Sequence, residues 1–264
     1  GVDIASIQRI TNQFFAQEQL SAGASASQYD TMANLFDQLN GALGGPGDNQ
    51  SLATGLTNLA SAFATASQAP TSSASRTGVM NALNGLASDF ANVGGTISAM
   101  RSQIDQQVVN SISSTNTLIK QIYDLNTQIR NASSGGDNNS ALLDQRDTVL
   151  NSLAQIMDIK TTPNADGSVS VSTADGVNLV ANTYAQLSYQ PGSSNGTYGA
   201  ITISNLNPST GATVGSDQIL DPHIGSGSLR GLIDMRDGTL SDLQQELGSF
   251  AQATAVAYNT QNNA

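Results

Sequence analysis

Val169-Ser170-Val171-Ser172-Thr173-Ala174-Asp175-Gly176-Val177-Asn178-Leu179-Val180-Ala181 alternates apolar and polar side chains on both sides of an Asp-Gly pair. A period of two puts every second side chain on one face of a pleated strand, and Asp-Gly between two such runs is a hairpin signal. Up to Asp158 the apolar residues recur at helical spacing, and that spacing returns after Ser228. Between these points Leu187 with Tyr189, then Tyr198, Ile201, Ile203 and Leu206, supply further strands separated by Gly, Ser, Asn and Pro turns. The pattern predicts a small antiparallel β domain, residues 159–227, inserted into a helical domain made of residues 1–158 plus 228–264. The fold class is α+β, mainly α: an elongated helical bundle, or rod, carrying the β domain.

On the helical side, Ile7, Ile10, Phe14 and Phe15, followed by Met32, Leu35, Phe36 and Leu39, recur at three and four. They predict one long helix from Ile4 to about Leu43, with Gly23 as the point where an interruption would fall. Gly44-Gly45-Pro46-Gly47-Asp48 stops it, Ser51 caps the next helix with its stripe of Leu52, Leu56, Leu59 and Phe63, and Pro70 ends that one. Arg76 to about Arg130 contains no proline and is the longest helical candidate, with Gly94-Gly95 as a tolerated weak point. Within it Val108, Ile112, Thr115, Ile119, Ile122, Asn126 and Ile129 make a near-heptad seam. Such a seam serves either oligomerisation or, as its shortness favours, the core edge of an antiparallel helical bundle. The loop Ser133–Asn139 closes the segment, and Ser140 is expected to cap a helix burying Leu142, Leu143, Val149, Leu150, Leu153 and Ile156. The last helix, carrying Leu229, Leu232, Leu240, Leu243, Leu247 and Phe250, is expected to pack along the Arg76–Arg130 helix.

Composition narrows the function classes. The 264 residues hold 9 basic and 20 acidic side chains, a formal net charge of −11, so nucleic acid or an anionic membrane would bind against repulsion. Absence of cysteine excludes disulfides, thiolate metal sites and cysteine nucleophiles. No window approaches the roughly 18 to 20 apolar residues of a membrane helix. No signal-peptide pattern opens the chain, and its start at Gly1, inside an apolar pattern, looks like a segment cut from a longer protein.

The charged residues concentrate in a repeated motif. Leu142-Leu143-Asp144-Gln145-Arg146-Asp147 recurs as Leu232-Ile233-Asp234-Met235-Arg236-Asp237, apolar, apolar, Asp, x, Arg, Asp in both copies. Both are expected in the first turns of helices, where carboxylates oppose the positive end of the dipole. Asp144, Arg146, Asp147, Asp234, Arg236 and Asp237 are read as structural helix-docking clusters, each Arg pairing with an Asp of its own cluster or each Asp with a base of an adjacent helix. A catalytic carboxylate pair would need a cleft with a polar and aromatic shell, and neither copy has aromatic company. No catalytic, cofactor-binding or metal-ligating set is expected. His223, the only histidine, reads as a surface loop residue without the partners of a catalytic or metal site. Asn164-Ala165-Asp166-Gly167 and Gly136-Asp137-Asn138-Asn139 resemble calcium-loop fragments, lack the twelfth-position acid and read as turns. Gly225-Ser226-Gly227-Ser228-Leu229-Arg230-Gly231 lacks the Lys of a phosphate loop and reads as a domain hinge. The Asn49-Gln50-Ser51 and Asn195-Gly196-Thr197 sequons are near chance.

Gly1-Val2-Asp3-Ile4 through Gln8-Arg9, the Leu142–Asp147 cluster, Gly227–Asp237 and the late Ala257-Tyr258-Asn259-Thr260-Gln261 occur in an order and spacing that resembles the FlgK family of flagellar hook-associated proteins. The chain departs from the family pattern at Arg230, where a second glycine is common, and at Met235, where an aromatic is common. The resemblance implies a rod-like helical domain with a β-rich domain and no enzymatic activity. It further implies an extracellular place in the bacterial flagellum, reached through the flagellar type III channel without a cleaved signal peptide, and a ring joining hook to filament. The partners it implies are the hook protein, the second hook-filament junction protein, further copies of the same chain, and an export chaperone for the full-length chain. It implies no cofactor, and without the terminal helices this segment is expected to be monomeric. A surface adhesin or glycan-binding filament subunit is the alternative, with Tyr184, Tyr189 and Tyr198 as stacking rings. A hydrolase using the Asp pairs is the weakest reading.

Overall fold

The computed structural model describes residues 4–45, 51–135, 139–192 and 197–262, without the side chains of residues 4–12, 134–135 and 261–262. Pro46-Gly47-Asp48 of the expected helix stop, Gly136-Asp137-Asn138, most of both sequons, and the side chains of Ile7 and Ile10 lie outside the described residues.

Among the described residues, six α-helices and six strands follow in the order α1 (Ile4–Leu43), α2 (Leu52–Gln68), α3 (Ser73–Gly135), α4 (Ser140–Ile156), β1 (Ile159–Pro163), β2 (Val169–Thr173), β3 (Asn178–Val180), β4 (Tyr184–Ser188), β5 (Thr202–Leu206), β6 (Thr213–Ile219), α5 (Ser228–Ile233) and α6 (Leu240–Asn262). A 3₁₀ turn spans Asp221–His223 and a π-helical segment, Asp234–Thr239, joins α5 to α6. The fold is mainly α with an inserted small antiparallel sheet. No described helix is long and apolar enough to cross a membrane.

Local chemistry explains most of the boundaries. α1 runs without a break through Gly23, since a single glycine inside a long helix costs only about 1 kcal/mol relative to alanine. The Ser51 hydroxyl accepts from the Thr54 amide at 3.2 Å and caps α2, which ends two residues before Pro70. α3 starts earlier and ends later than the Arg76–Arg130 expectation and passes through Gly94-Gly95. Ser140 is not the cap of α4 but its first residue, after Asn139.

The chain divides into two compact units, Gly1–Met32 with Ile104–Asp234, and Ala33–Gln103 with Met235–Ala264. These boundaries differ from the chain limits at 158 and 228: the sheet shares its unit with α4, α5 and stretches of α1 and α3.

In the first unit the sheet is a meander, β1-β2-β3-β4-β5-β6, antiparallel throughout. Val169, Val171 and Thr173 of β2, Ala185 and Leu187 of β4, and Ile203 of β5 are buried, as the alternation predicts. All seven residues of the edge strand β6 are exposed. The seam of α3 is buried along its whole length, with Val108, Thr115, Ile119, Ile122 and Ile129 at 0% exposure. It lies against the sheet, where Asn126 and Asn116 bond the backbones of β2 and β4, and is not the edge of an all-helical bundle. Isoleucine and valine at that spacing fit a flat β surface as well as a helix, so periodicity alone does not distinguish the two partners.

The second unit is helical. α6 packs along α3, with the Phe90 and Phe250 rings 5.4 Å apart and Arg101 Nη1 donating to Gln244 Oε1 at 3.1 Å. Phe63 of α2 stacks on Tyr258 of α6 at 5.7 Å. Leu35, Leu39, Leu59, Val79, Leu86 and Ile97 form its core.

Candidate docking clusters

The first cluster lies in the second turn of α4, not the first, and its arginine points inward. Arg146 is 8% exposed; its Nη1 donates to the Gly167 carbonyl at 2.8 Å and lies 3.4 Å from Asn126 Oδ1, while its Nε is buried without a partner. Contrary to expectation, it makes no ion pair with Asp144 or Asp147 among the described residues. Residues one or two apart on an α-helix do not face each other, so both carboxylates stay on the outer side. Burial pulls the Arg146 pKa below its usual value, with the charge of Asp147 opposing the shift. Desolvation raises the Asp147 pKa, Arg146 lowers it and Asp144 raises it further.

Gly167 presents its carbonyl from a rigid β1–β2 turn. Its φ of +84° is one that L side chains rarely adopt, and the turn around it is tied by side chains. The Asp166 carboxylate accepts from the Ser168 amide at 3.0 Å and its hydroxyl at 2.6 Å, and Asn164 Nδ2 donates to that hydroxyl at 3.0 Å. Asn164–Gly167 is thus a turn, as read from the sequence. From α3, Asn126 donates to the Val169 carbonyl at 2.8 Å and accepts from its amide at 3.0 Å. Arg146 therefore joins α3, α4 and the first hairpin of the sheet.

The second cluster divides. Asp234 accepts from Arg230 Nη2 at 2.8 Å and from Gln28 Nε2 of α1 at 3.3 Å. Arg236, 1% exposed, forks onto both oxygens of Asp237 at 2.8 Å, the Arg–Asp pairing expected of this copy, and its carbonyl accepts from Arg101 Nε at 3.0 Å. The cluster sits in the π-helical segment instead of a first turn. The wider winding there reduces the angle between successive residues and lets neighbours meet. The two copies of one motif thus perform different tasks, a helix-to-hairpin tie and a fork beside a π turn.

Sequence reasoning misses three docking side chains. Gln17 of α1 donates to the Ile159 carbonyl at 2.8 Å and accepts from the Thr161 amide at 3.1 Å, as a strand next to edge β1 would. Asn116 of α3 does the same for both backbone groups of Leu187, at 2.9 and 2.7 Å. With Asn126, they make three amides that each satisfy a donor and an acceptor of the sheet, groups that cost about 1 to 3 kcal/mol each if buried unpaired. Asp105 holds the Gly192 amide at 2.9 Å and the Tyr189 hydroxyl. The one available signal was Asn126 itself, an amide in a seam of isoleucines.

The three tyrosines are engaged in the fold. Tyr184 stacks on Tyr123 at 5.4 Å, Tyr189 is tethered to Asp105, and the Tyr198 ring packs over Gly192, where an added Cβ would overlap its Cδ1. His223 stands in the 3₁₀ turn with Nδ1 2.5 Å from Asp175 Oδ2. Among the described residues, no group of three or more His, Cys, Asp or Glu could hold a metal ion.

The Asp166 turn gives a pH-dependent signature. Hydrogen bonds from Ser168 hold the Asp166 carboxyl below its ordinary pKa. A depressed carboxyl pKa stabilises the fold above the unfolded pKa, and that contribution disappears as pH falls through the folded value. The Ser168 amide resonance is expected to titrate with an inflection below the ordinary carboxylate range and to stop titrating in Asp166→Asn. An inflection above that range would contradict the geometry.

The sequence matches the family described as the flagellar hook-associated protein FlgK helical domain over residues 36–264. It is 28% identical over 272 residues to flagellar hook-associated protein 1 of Escherichia coli K12, covering 100% of this chain and 47% of that protein. It is 26% identical over 180 residues to the Bacillus subtilis protein of the same name, covering 67% and 34%. The solved flagellar hook junction protein FlgK from Burkholderia pseudomallei superposes with a TM-score of 0.76 at 28% identity, covering 88% of this chain and 41% of that one. The chain spans about half the length of the first two curated relatives it matches. Motif order, fold and a match over most of its residues agree: the chain belongs to the FlgK family of flagellar hook-associated proteins.

Proposed function

We propose that this chain is part of a hook-filament junction protein, a non-enzymatic subunit that assembles in a ring between hook and filament outside the cell. The match to the FlgK helical domain over residues 36–264 carries the reading. The side chains fit a structural role: Arg146 is held by a backbone carbonyl and an amide, and Arg236 by Asp237. On this reading the 159–227 segment is the inserted β domain of a helical frame. The hook protein, the second junction protein and like subunits contact the assembled form, an export chaperone accompanies the full-length chain, and export proceeds without a cleaved signal peptide.

The test is complementation. A full-length protein carrying this segment, expressed in a bacterium without its own hook-associated protein 1, is expected to restore swimming and attached filaments. Hooks that stay bare, with filament protein released into the medium despite secretion of the test protein, would overturn the reading.

A further inference from the structure

Asp-Gly occurs three times in this chain, at Asp166, Asp175 and Asp237. In this dipeptide the glycine nitrogen can attack the aspartate side chain, because glycine has no Cβ to hinder the approach and lets the backbone turn into it. The N–Cγ bond forms, a carboxyl C–O bond breaks, and the hydroxyl leaves with the amide proton as water, closing a five-membered imide. Water then opens the ring at either carbonyl. One opening restores aspartate, and the other leaves the chain running through the side-chain carboxyl, one backbone atom longer. A carboxylate is a poor electrophile, so closure goes through the protonated carboxyl.

All three carboxylates are held, but by different means. Asp166 is bonded by Ser168 and Asp237 by Arg236, partners within two residues. Asp175, in the turn between β2 and β3, has a local bond to one oxygen, from the Thr173 hydroxyl at 2.7 Å. Its other oxygen lies 2.5 Å from Nδ1 of His223, 48 residues along the chain. A carboxylate only accepts, so Nδ1 carries the hydrogen. We propose that Asp175-Gly176 is a site of spontaneous isomerisation and that His223 guards it. The two bonds fix both oxygens and keep Cγ from swinging onto the Gly176 nitrogen, whose own hydrogen is given to the Thr173 carbonyl at 3.1 Å. They also hold the Asp175 carboxyl below its ordinary pKa, His223 first and Thr173 next, and so deplete the form that reacts. Of the other charges near the turn, Lys160 Nζ donates to the Ala174 carbonyl and the Asp221 carboxylate accepts from the Ile201 amide at 2.8 Å, so neither takes the place of His223. The Asp175 side chain is 51% exposed, which gives water access to open the imide. Isomerisation would damage the hairpin: an extra backbone atom at Asp175 displaces the Val177 amide from the Thr173 hydroxyl, at 3.0 Å, and the Val177 carbonyl from the Thr173 amide, at 2.9 Å. With them goes the register of β3, whose Leu179 and Val180 are buried. The guard depends on this turn alone and stands or falls apart from the junction reading.

The chain and its His223→Ala and His223→Asn variants are aged in mildly acidic buffer, and isoaspartate at each Asp-Gly pair is measured by mass spectrometry of the derived peptides. Asp175 is expected to isomerise several-fold faster in His223→Ala than in the wild type, with the rates at Asp166 and Asp237 and the circular dichroism unchanged. His223→Asn, whose amide nitrogen can occupy the position of Nδ1, is expected to recover most of the protection. Equal rates at Asp175 in wild type and His223→Ala would overturn the proposal. So would a rise shared with Asp166, which marks general loosening of the sheet, or a His223→Asn variant that isomerises as fast as His223→Ala.

Discussion

Gly227→Ala is expected to destabilise the protein by about 4 kcal/mol or more, the range reached when backbone strain and overpacking coincide. Gly227 has φ +100° and ψ 167°, a region essentially confined to glycine. An added Cβ would overlap the Ile156 carbonyl oxygen and lie 2.7 Å from the Met157 Cα, contacts with backbone that no side-chain rotation relieves. The cause is topological. Here the chain leaving the β segment crosses the chain entering it: the Asp158 amide donates to the Ser226 carbonyl at 3.2 Å, and the Asp158 carboxylate accepts from the Gly225 and Ser226 amides at 2.8 and 3.1 Å. The glycine run read from sequence as a hinge is a clamped crossing. Gly225→Ala provides the contrast, since its Cβ would meet only the Asp158 carboxylate, at 3.0 Å, and is expected to cost about 1 kcal/mol. Urea denaturation of both variants measures the difference. Equal midpoints for Gly227→Ala and wild type would show that the crossing is not as described.

The elements that were legible in the sequence are those whose burial is one-sided. α1 and α2 follow from stripes at three and four together with the Ser51 cap, and β2 and β3 from alternation around Asp175-Gly176, because one face of each meets a core. β1 and β6 were not individually legible: Lys160, Thr161 and Thr162 give no alternation, and β6, exposed at every position, has no buried face to record. The π segment leaves no mark either, since one residue of extra winding changes no residue type. The docking clusters were half legible. Repetition singled out Arg146 and Arg236 as helix-docking groups paired with acids, which holds for Arg236 through irregular winding, but the partner of Arg146 is a carbonyl from a distant turn. Gln17 and Asn116 escaped notice because an amide on a long polar helix looks like a solvated residue until the strand it serves is placed beside it, whereas Asn126 was legible as a seam position but not as a partner of β2.

Arg146→Met is expected to lower stability by about 2 kcal/mol, and Asn126→Leu by about 3 kcal/mol, both through orphaned buried groups. Methionine keeps the aliphatic stem and removes a desolvated charge together with the unpartnered Nε, each a gain, so the loss must come from the Gly167 carbonyl left without its donor. Breaking one side of a buried polar contact generally outweighs the relief of removing the charge. Leucine at 126 keeps the volume but leaves both backbone groups of Val169 unpaired, hence the larger figure. Asn126 Oδ1 faces Arg146 Nη1 at 3.4 Å as well as the Val169 amide, so the two substitutions share a contact and are expected to be less than additive, by about 0.5 to 1 kcal/mol. The double variant is also expected to release the β1–β2 hairpin from α3 and α4, raising hydrogen exchange at Val169 and neighbouring β2 amides before the rest of the sheet. Thermal and urea midpoints for the two single variants and the pair complete the cycle. Full additivity, with unaltered exchange in β2, would mean that Arg146 and Asn126 do not act together, and that the first cluster does not hold the sheet to its helices.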